Sequence, residues 1–259
     1  MQYGVCCGPD LAGEIAEAGF DFFEWSVGSF LKPAESRDAF AVSLLQAGRA
    51  PLPCPVTNGF IPGELKIVGP AVNRAALERY VSTACERAEK AGVEVIVFGS
   101  GGARNVPGGF DRAKARDQLV SFCRRLGAIA ADHRVTIALE PLNKAECNVL
   151  TTVGECAELV REVNHPAVRL HVDAYHLMKD GDSLKDVAAN GRLLVHTHIA
   201  TVPSRLPPGA EPCDLGGFFR ALVEGGYDGR VSIEGNISKP DRDFRAALSH
   251  MKALEKEAR

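Results

Sequence analysis

No stretch of this chain is apolar for the length of a membrane span, which takes about 20 residues. The start, Met1-Gln2-Tyr3-Gly4, lacks the basic residues and apolar core of an export signal. A membrane partner is therefore not expected, and a cytoplasmic location is. An excess of positive charge is missing too: 30 Lys and Arg against 33 Asp and Glu leave a net charge of −3. A dedicated nucleic-acid binder usually carries the opposite imbalance, so no nucleic-acid partner is expected. None of the eight cysteines forms a C-x-x-C pair, which removes the commonest redox and zinc-ribbon spacings. Cys85, Cys123 and Cys156 fall in apolar helical contexts, where a free thiol behaves as a small hydrophobe, as suits a reducing compartment. Low-complexity tracts and linkers are absent as well, so residues 1–259 read as one domain.

What is present is an alternation of short apolar runs and longer helical patterns, repeated eight times. Strands are expected at 2–7, 21–26, 51–57, 94–99, 136–142, 168–173, 193–199 and 230–235. Helices are expected near 10–19, 35–48, 71–91, 111–132, 153–163, 183–190, 214–225 and 243–257. The stripes Leu77, Tyr80, Val81, Ala84, Ala88 and Leu119, Phe122, Cys123, Leu126, Ala130 recur at helical spacing. Pro9-Asp10, Asp111 and Asp214 suit helix starts, and Gly19, Gly92 and Gly225-Gly226 suit stops. Val93–Phe98 is apolar on both faces but for Glu94, as in a parallel strand covered on each side. Eight βα units in 259 residues favour a single (β/α)8 TIM barrel over a doubly wound sheet. The longest irregular stretches, Ser100–Phe110 and Thr201–Cys213, each follow a strand and so belong to the C-terminal face, where such barrels build active sites.

Polar residues gather at the ends of the last four strands. Glu140 ends the apolar run Thr136–Leu139, Asp173 ends Val168–Val172, His196 and His198 share one face of strand seven, and Glu234 ends strand eight. Taken singly, each has an ordinary explanation. Asp173 suits a helix cap as well as a site, and His176 three residues later suits the surface as well as a ligand. Together they are harder to dismiss, because consecutive strands of a barrel are neighbours and these side chains would converge. Three crowded carboxylates repel, and a divalent cation is the natural compensation. Oxygen ligands with one imidazole suit Mn²⁺, Mg²⁺, Co²⁺ or Fe²⁺ better than a structural zinc site.

The segments Leu139-Glu140-Pro141-Leu142-Asn143 with Glu146, Asp173-Ala174-Tyr175-His176, His196-Thr197-His198-Ile199-Ala200 with Arg205, and Ser232-Ile233-Glu234 resemble the xylose-isomerase-like barrel superfamily. Within it they are most similar to the ketose 3-epimerases and their sugar isomerase/epimerase relatives. The resemblance implies that Glu140, Asp173, His198 and Glu234 hold one divalent metal ion, Mn²⁺ first among candidates that include Zn²⁺. It implies that Glu140 and Glu234 act as the acid and base on either side of a carbon next to a carbonyl, through an enediolate. Glu146, His176 and Arg205 would contact the hydroxyls of a sugar or keto-sugar substrate. Arg205 follows His198 by seven residues where the epimerase arginine follows by six, and Thr201 replaces an acidic residue common in relatives. A homo-oligomer is compatible with this reading.

Other signals are weaker. Gly99-Ser100-Gly101-Gly102-Ala103-Arg104 follows a strand, but a dinucleotide fingerprint needs glycine where Arg104 stands. Arg104 is expected near an anionic or hydroxylated ligand, or else on a plain surface loop. His171 and His196 are expected one layer below the ligands as hydrogen-bonded support, and the register of Glu24 is ambiguous. A Schiff-base aldolase would need a strand-end lysine, and Lys144 already lies in a loop. A three-metal abasic-site endonuclease would need histidines on early strands, and none precedes His133. Other metal-dependent keto-sugar chemistry (3-keto-glycoside epimerase, C-glycoside lyase, inosose dehydratase or hydroxypyruvate isomerase) fits the same residues. A non-catalytic sugar-binding barrel would not need both glutamates.

Overall fold

The computed structural model describes residues 1–238 and 243–259. Eight parallel strands close into a barrel in sequence order: β1 (Gln2–Cys6), β2 (Phe22–Ser26), β3 (Val56–Asn58), β4 (Val95–Phe98), β5 (Thr136–Leu139), β6 (Val168–Asp173), β7 (Leu194–Ile199) and β8 (Arg230–Ile233). β1 pairs with β8 through Gln2–Arg230 to Val5–Ile233, which completes the ring. This is the expected single (β/α)8 barrel.

The strongest helices begin and end where the sequence punctuates them. Arg74–Ala91 is capped by the Asn73 side chain and stopped by left-handed Gly92, and Arg112–Asp132 is capped by Asp111. Their apolar stripes face the sheet in one continuous core outside the barrel. Strand three is shorter than expected. Pro51, Pro53 and Pro55 lack the N–H that a ladder needs, so pairing is confined to Val56–Asn58, although the Pro53 and Pro55 carbonyls still accept from Phe23, Glu94 and Val95. Three short helices were not anticipated: Val27–Phe30, Gly101–Arg104 and Ala174–Asp180.

Inside the barrel, Phe22, Val56, Val95, Val97 and Ala138 form a small apolar plug. Gly4 makes room for it, since a Cβ there would lie 2.3 Å from the Phe22 ring. Beside the plug the interior turns polar: Glu24, His171, His196 and Ser232 are all buried.

That polar interior depends on one extra residue. Leu170 pairs with Leu194, yet the next partner of β6, His171, pairs with His196. Val195 is the inserted residue, a β-bulge. Side chains alternate faces along a strand, so a one-residue shift reverses every position beyond it. With regular pairing His196 and His198 would face the helices; the bulge turns both into the barrel, with His198 opposite Asp173.

Candidate active site

Glu140 is the first residue past β5, and its N–H still donates to the Phe98 carbonyl at 3.1 Å. Asp173 ends β6, His198 lies near the end of β7, and the Glu234 N–H donates to Ile199 at 3.2 Å. The barrel thus brings the four expected strand-end residues to one place. His198 Nδ1 lies 3.5 Å from Glu234 Oε2 and 3.9 Å from Glu140 Oε1. On the other flank, His176 Nε2 lies 3.6 Å from Asp173 Oδ2. Ligand-capable atoms of Glu140, Asp173, His176 and Glu234 all lie within 4.8 Å of one another, so two imidazoles bracket three carboxylates.

Their hydrogen bonds distinguish the imidazoles. His176 Nδ1 meets two donors, the Asn143 N–H at 3.3 Å and the Asn143 side-chain amide at 2.6 Å. Its proton therefore sits on Nε2, facing Asp173, and in this tautomer His176 donates there instead of ligating. His198 is set the other way. Its Nε2 lies 2.9 Å from Glu24 Oε1, an ionised acceptor, so Nδ1 faces the carboxylate side. Burial opposes its charge, but Glu24 and Glu234 outweigh burial and raise the imidazole well above its usual range, so a metal on Nδ1 would displace a proton. A carboxylate behind an imidazole is the usual second partner of a histidine that ligates a metal. His198 thus turns Nδ1 toward Glu140 and Glu234, whereas His176 turns an N–H toward Asp173.

Glu24 resolves the ambiguity of strand two: it points inward. Its other oxygen, Oε2, accepts from His196 at 2.8 Å and from the Ser232 hydroxyl at 2.7 Å. Burial opposes its charge, but His198 and His196 outweigh burial and hold the carboxyl well below its usual range. His196 is the hydrogen-bonded support expected of it. His171 is buried as expected but differs in its bonding: among the described residues neither ring nitrogen has a hydrogen-bond partner, and Nδ1 lies 3.6 Å from Glu140 Oε1.

Asp173 proves to be both a cap and a site residue. Oδ1 accepts the Tyr175 N–H at 2.9 Å and starts the helix Ala174–Asp180, while Oδ2 faces His176 and Arg205. The alternative of a surface histidine at 176 is overturned, since His176 is buried. Glu146 stands at the rim, with its carboxylate accepting from the Asn143 amide at 2.8 Å. Arg205, in a left-handed backbone conformation, lays its guanidinium over the Tyr175 ring at 4.6 Å, pairs with Glu234 and reaches Asp173 at 3.4 Å. The longer spacing from His198 thus still delivers the arginine to the carboxylates. Thr201, standing where an acid was expected, donates to Glu211 at 2.5 Å and accepts from the Leu206 N–H, which fastens the loop.

Two residues of the site were missed in the sequence. Asn58, at the end of β3, donates to Glu234 Oε1 at 3.1 Å. Cys6, at the end of β1, brings Sγ within 3.8 Å of His198 Nε2. Both lie at strand ends, and that position is the one signal that marks them. Arg104 requires a correction. Far from meeting a ligand, it is fully buried and donates to the carbonyls of Phe98, Glu140 and Leu150. The tight turn Ser100–Arg104 folds the side chain back under the strand ends.

The charges do not balance comfortably. Burial, and then the neighbouring Glu234, push the Glu140 carboxyl well above its usual range, and burial raises Asp173. Burial also works against Glu234, but His198 and Arg205 prevail and bring it to about 2. Glu140 Oε1 and His198 Nδ1 are buried without a hydrogen-bond partner among the described residues. Two such atoms beside further carboxylates fit a divalent cation, which would supply the missing positive charge and the missing partner together.

Residues 12–254 match the family of xylose isomerase-like TIM barrels. The chain belongs to that family. Among xylose isomerase-like barrels, the L-ribulose 3-epimerase of Methylomonas sp. (strain DH-1) is 34% identical over 120 residues, 46% of this chain and 42% of that protein. The ketose 3-epimerase of Arthrobacter globiformis is 31% identical over 121 residues, 45% and 42% of the two chains. The 3-dehydro-D-guloside 4-epimerase of Escherichia coli (strain K12) is 30% identical over 145 residues, 55% and 53%. This chain spans about half the length of the curated relatives it matches. Among solved structures, a D-psicose 3-epimerase in the presence of D-fructose aligns at a TM-score of 0.84 and 20% identity, covering 98% of this chain and 99% of that one. A 3-keto-D-glucoside 4-epimerase from E. coli aligns at 0.80 and 22%, with 98% and 99% covered. At such identities the likeness establishes the shared fold.

Proposed function

We propose that this barrel is a divalent-metal-dependent epimerase or isomerase of a sugar or keto-sugar, with Glu140, Asp173, His198 and Glu234 as the metal ligands. The observation that carries the reading is the pair of buried atoms, Glu140 Oε1 and His198 Nδ1, without a hydrogen-bond partner among the described residues and beside the carboxylates of Asp173 and Glu234. The names of the relatives, ketose 3-epimerases and a 4-epimerase of a keto-glycoside, support the substrate class. Mn²⁺ suits a set of three carboxylates and one imidazole. When bound, such an ion acts as a Lewis acid toward the oxygen on which charge develops as a proton leaves the neighbouring carbon.

The remaining work falls to side chains. Glu234, paired with the Arg205 guanidinium, would accept the proton. Glu140, which burial and Glu234 drive toward its protonated form, is placed to return one. Two carboxyls whose environments pull them apart are what an acid–base pair requires. His176, with its proton on Nε2, and Arg205 offer donors to sugar hydroxyls, and Glu146 at the rim offers an acceptor.

The test is incorporation of solvent deuterium into a panel of free ketoses and 3-keto-glycosides, with Mn²⁺ present. Exchange and epimerisation of at least one member are expected, with epimerisation lost in both Glu140→Gln and Glu234→Gln. No exchange with any member, or a wild-type rate in either variant, would overturn the proposal and leave a binding barrel as the better account.

A further inference from the structure

One wall of the site is not made of oxygen. Val5 pairs with Ile233 across the β1–β8 seam, so the next step along each strand sets Cys6 beside Glu234. The thiol is free and partly exposed, and its Sγ meets the His198 ring edge at 3.8 Å. Ligand-capable atoms of Cys6, His198 and Glu234 lie within 4.8 Å of one another. The sulfur contact is to Nε2, whereas Nδ1 of the same ring is buried without a hydrogen-bond partner among the described residues and faces Glu234 Oε2 at 3.5 Å.

We infer that Cys6, His198 and Glu234 form a second coordination set, selective for a thiophilic divalent ion such as Zn²⁺ or Cd²⁺. The argument is one of ligand softness. Glu140, Asp173, His198 and Glu234 offer three carboxylates and one imidazole, a set for oxygen-preferring ions. Exchanging Glu140 and Asp173 for one thiolate gives a sulfur–nitrogen–oxygen set, which zinc-like ions favour in tetrahedral geometry. In such geometry, ligand atoms around zinc stand about 3.4–3.8 Å apart, given bonds of about 2.0–2.3 Å. The three ligand atoms lie within 4.8 Å of one another, and a cysteine closes the remaining gap by turning about a single bond. Metal binding displaces the thiol proton and one His198 ring proton to water: Cys–SH, the imidazolium and M²⁺ give the thiolate- and imidazole-ligated ion and two H⁺, with no change of oxidation state. Solvent supplies the fourth position.

Both sets use His198 and Glu234, so one ion excludes the other. A thiophilic ion seated on Cys6 withdraws Glu234 from the acid–base pair and pulls the metal away from Glu140. The site would thereby discriminate by metal: one ion type for turnover, another that arrests it. This consequence for turnover rests on the proposed epimerase reading; the coordination itself does not.

Cadmium reports directly on sulfur ligation, because a Cd²⁺–thiolate bond absorbs in the ultraviolet. Metal-free full-length protein titrated with Cd²⁺ is expected to develop that band to one equivalent. The band should be absent in Cys6→Ser and suppressed in the wild type by excess Mn²⁺. A second measurement needs no variant: Zn²⁺ should protect Cys6 of the wild type from alkylation by iodoacetamide, as read by peptide mass. No band in the wild type, a band that persists in Cys6→Ser, Mn²⁺ and Cd²⁺ bound together, or Cys6 alkylated equally with and without Zn²⁺ would each overturn the inference. If the band forms as expected while the deuterium panel is silent, the coordination stands and the epimerase reading falls.

Discussion

Glu24 and His198 lie on strands that are far apart in sequence, yet their contact, 2.9 Å between Oε1 and Nε2, fixes which nitrogen of His198 faces the carboxylates. Without it the ring could present either tautomer. Glu24→Gln should keep the shape and lose the fixed acceptor. Second-partner substitutions of this kind weaken metal binding by roughly 10–100-fold. Titration calorimetry with Mn²⁺ on the variant checks this, and an unchanged affinity would remove Glu24 from the metal's support.

Gly99 gives a cleaner separation of site from fold. Its backbone is not in the left-handed region, so alanine is conformationally acceptable, but a Cβ would stand 2.3 Å from Glu140 Oε2. Gly99→Ala should therefore displace the carboxylate, with an overpacking cost of about 1–3 kcal/mol. Urea melts should show that modest loss, while Mn²⁺ affinity and turnover fall by at least about tenfold, the equivalent of 1.4 kcal/mol. A full-strength metal site in this variant would argue that Glu140 is not a ligand.

The barrel and the four polar residues at its strand ends were legible because they are written in local pattern: apolar runs, their period, and the polar residue that ends each. What could not be read depends on pairing across the fold. The Val195 bulge, which turns two histidines inward, is a register between β6 and β7 and leaves no mark in composition. Asn58 and Cys6 acquire meaning from facing Glu234 and His198, residues far away in the chain. Arg104 misled for the opposite reason. An arginine in a glycine-rich loop looks solvent-facing, and only the three-dimensional turn reveals that its guanidinium serves buried carbonyls.

Arg104 therefore makes a prediction about stability as well as function. Its Nη2 donates to the Glu140 carbonyl at 2.7 Å, and Nη1 to Phe98 at 3.3 Å. Arg104→Met fills the space and orphans those acceptors, at about 1–3 kcal/mol for each buried group left unsatisfied. A substantial fall in unfolding free energy is expected, with only partial recovery in Arg104→Lys, whose ammonium cannot reproduce the fork. Denaturant unfolding of the two variants measures it; an unaffected Arg104→Met would mean the carbonyls find other partners.

The barrel seam carries a pH dependence of its own. The Tyr3 hydroxyl on β1 donates to Glu255 Oε2 at 2.5 Å, and the Met1 amine and Arg259 approach Oε1 at 2.9 and 2.8 Å, tying the first strand to the helix Phe244–Ala258. Partial burial opposes the charge on Glu255, but the Tyr3 hydroxyl, the amine and Arg259 outweigh it, and the carboxyl lies below its ordinary value of 4.5. A carboxyl lowered on folding stabilises the native state above its unfolded pKa, because the unfolded chain then holds the proton more tightly. That contribution is complete at neutral pH, begins to decline as the pH approaches 4.5, and is lost as it falls through the folded value. Glu255→Gln should accordingly melt below the wild type at neutral pH, by the equivalent of about 1–3 kcal/mol for charge-assisted hydrogen bonds. The two melting curves should converge in acid. Thermal melts of both proteins from pH 7 downward measure the gap, and a difference that stayed constant or widened with acidification would show that Glu255 is not held ionised by these partners.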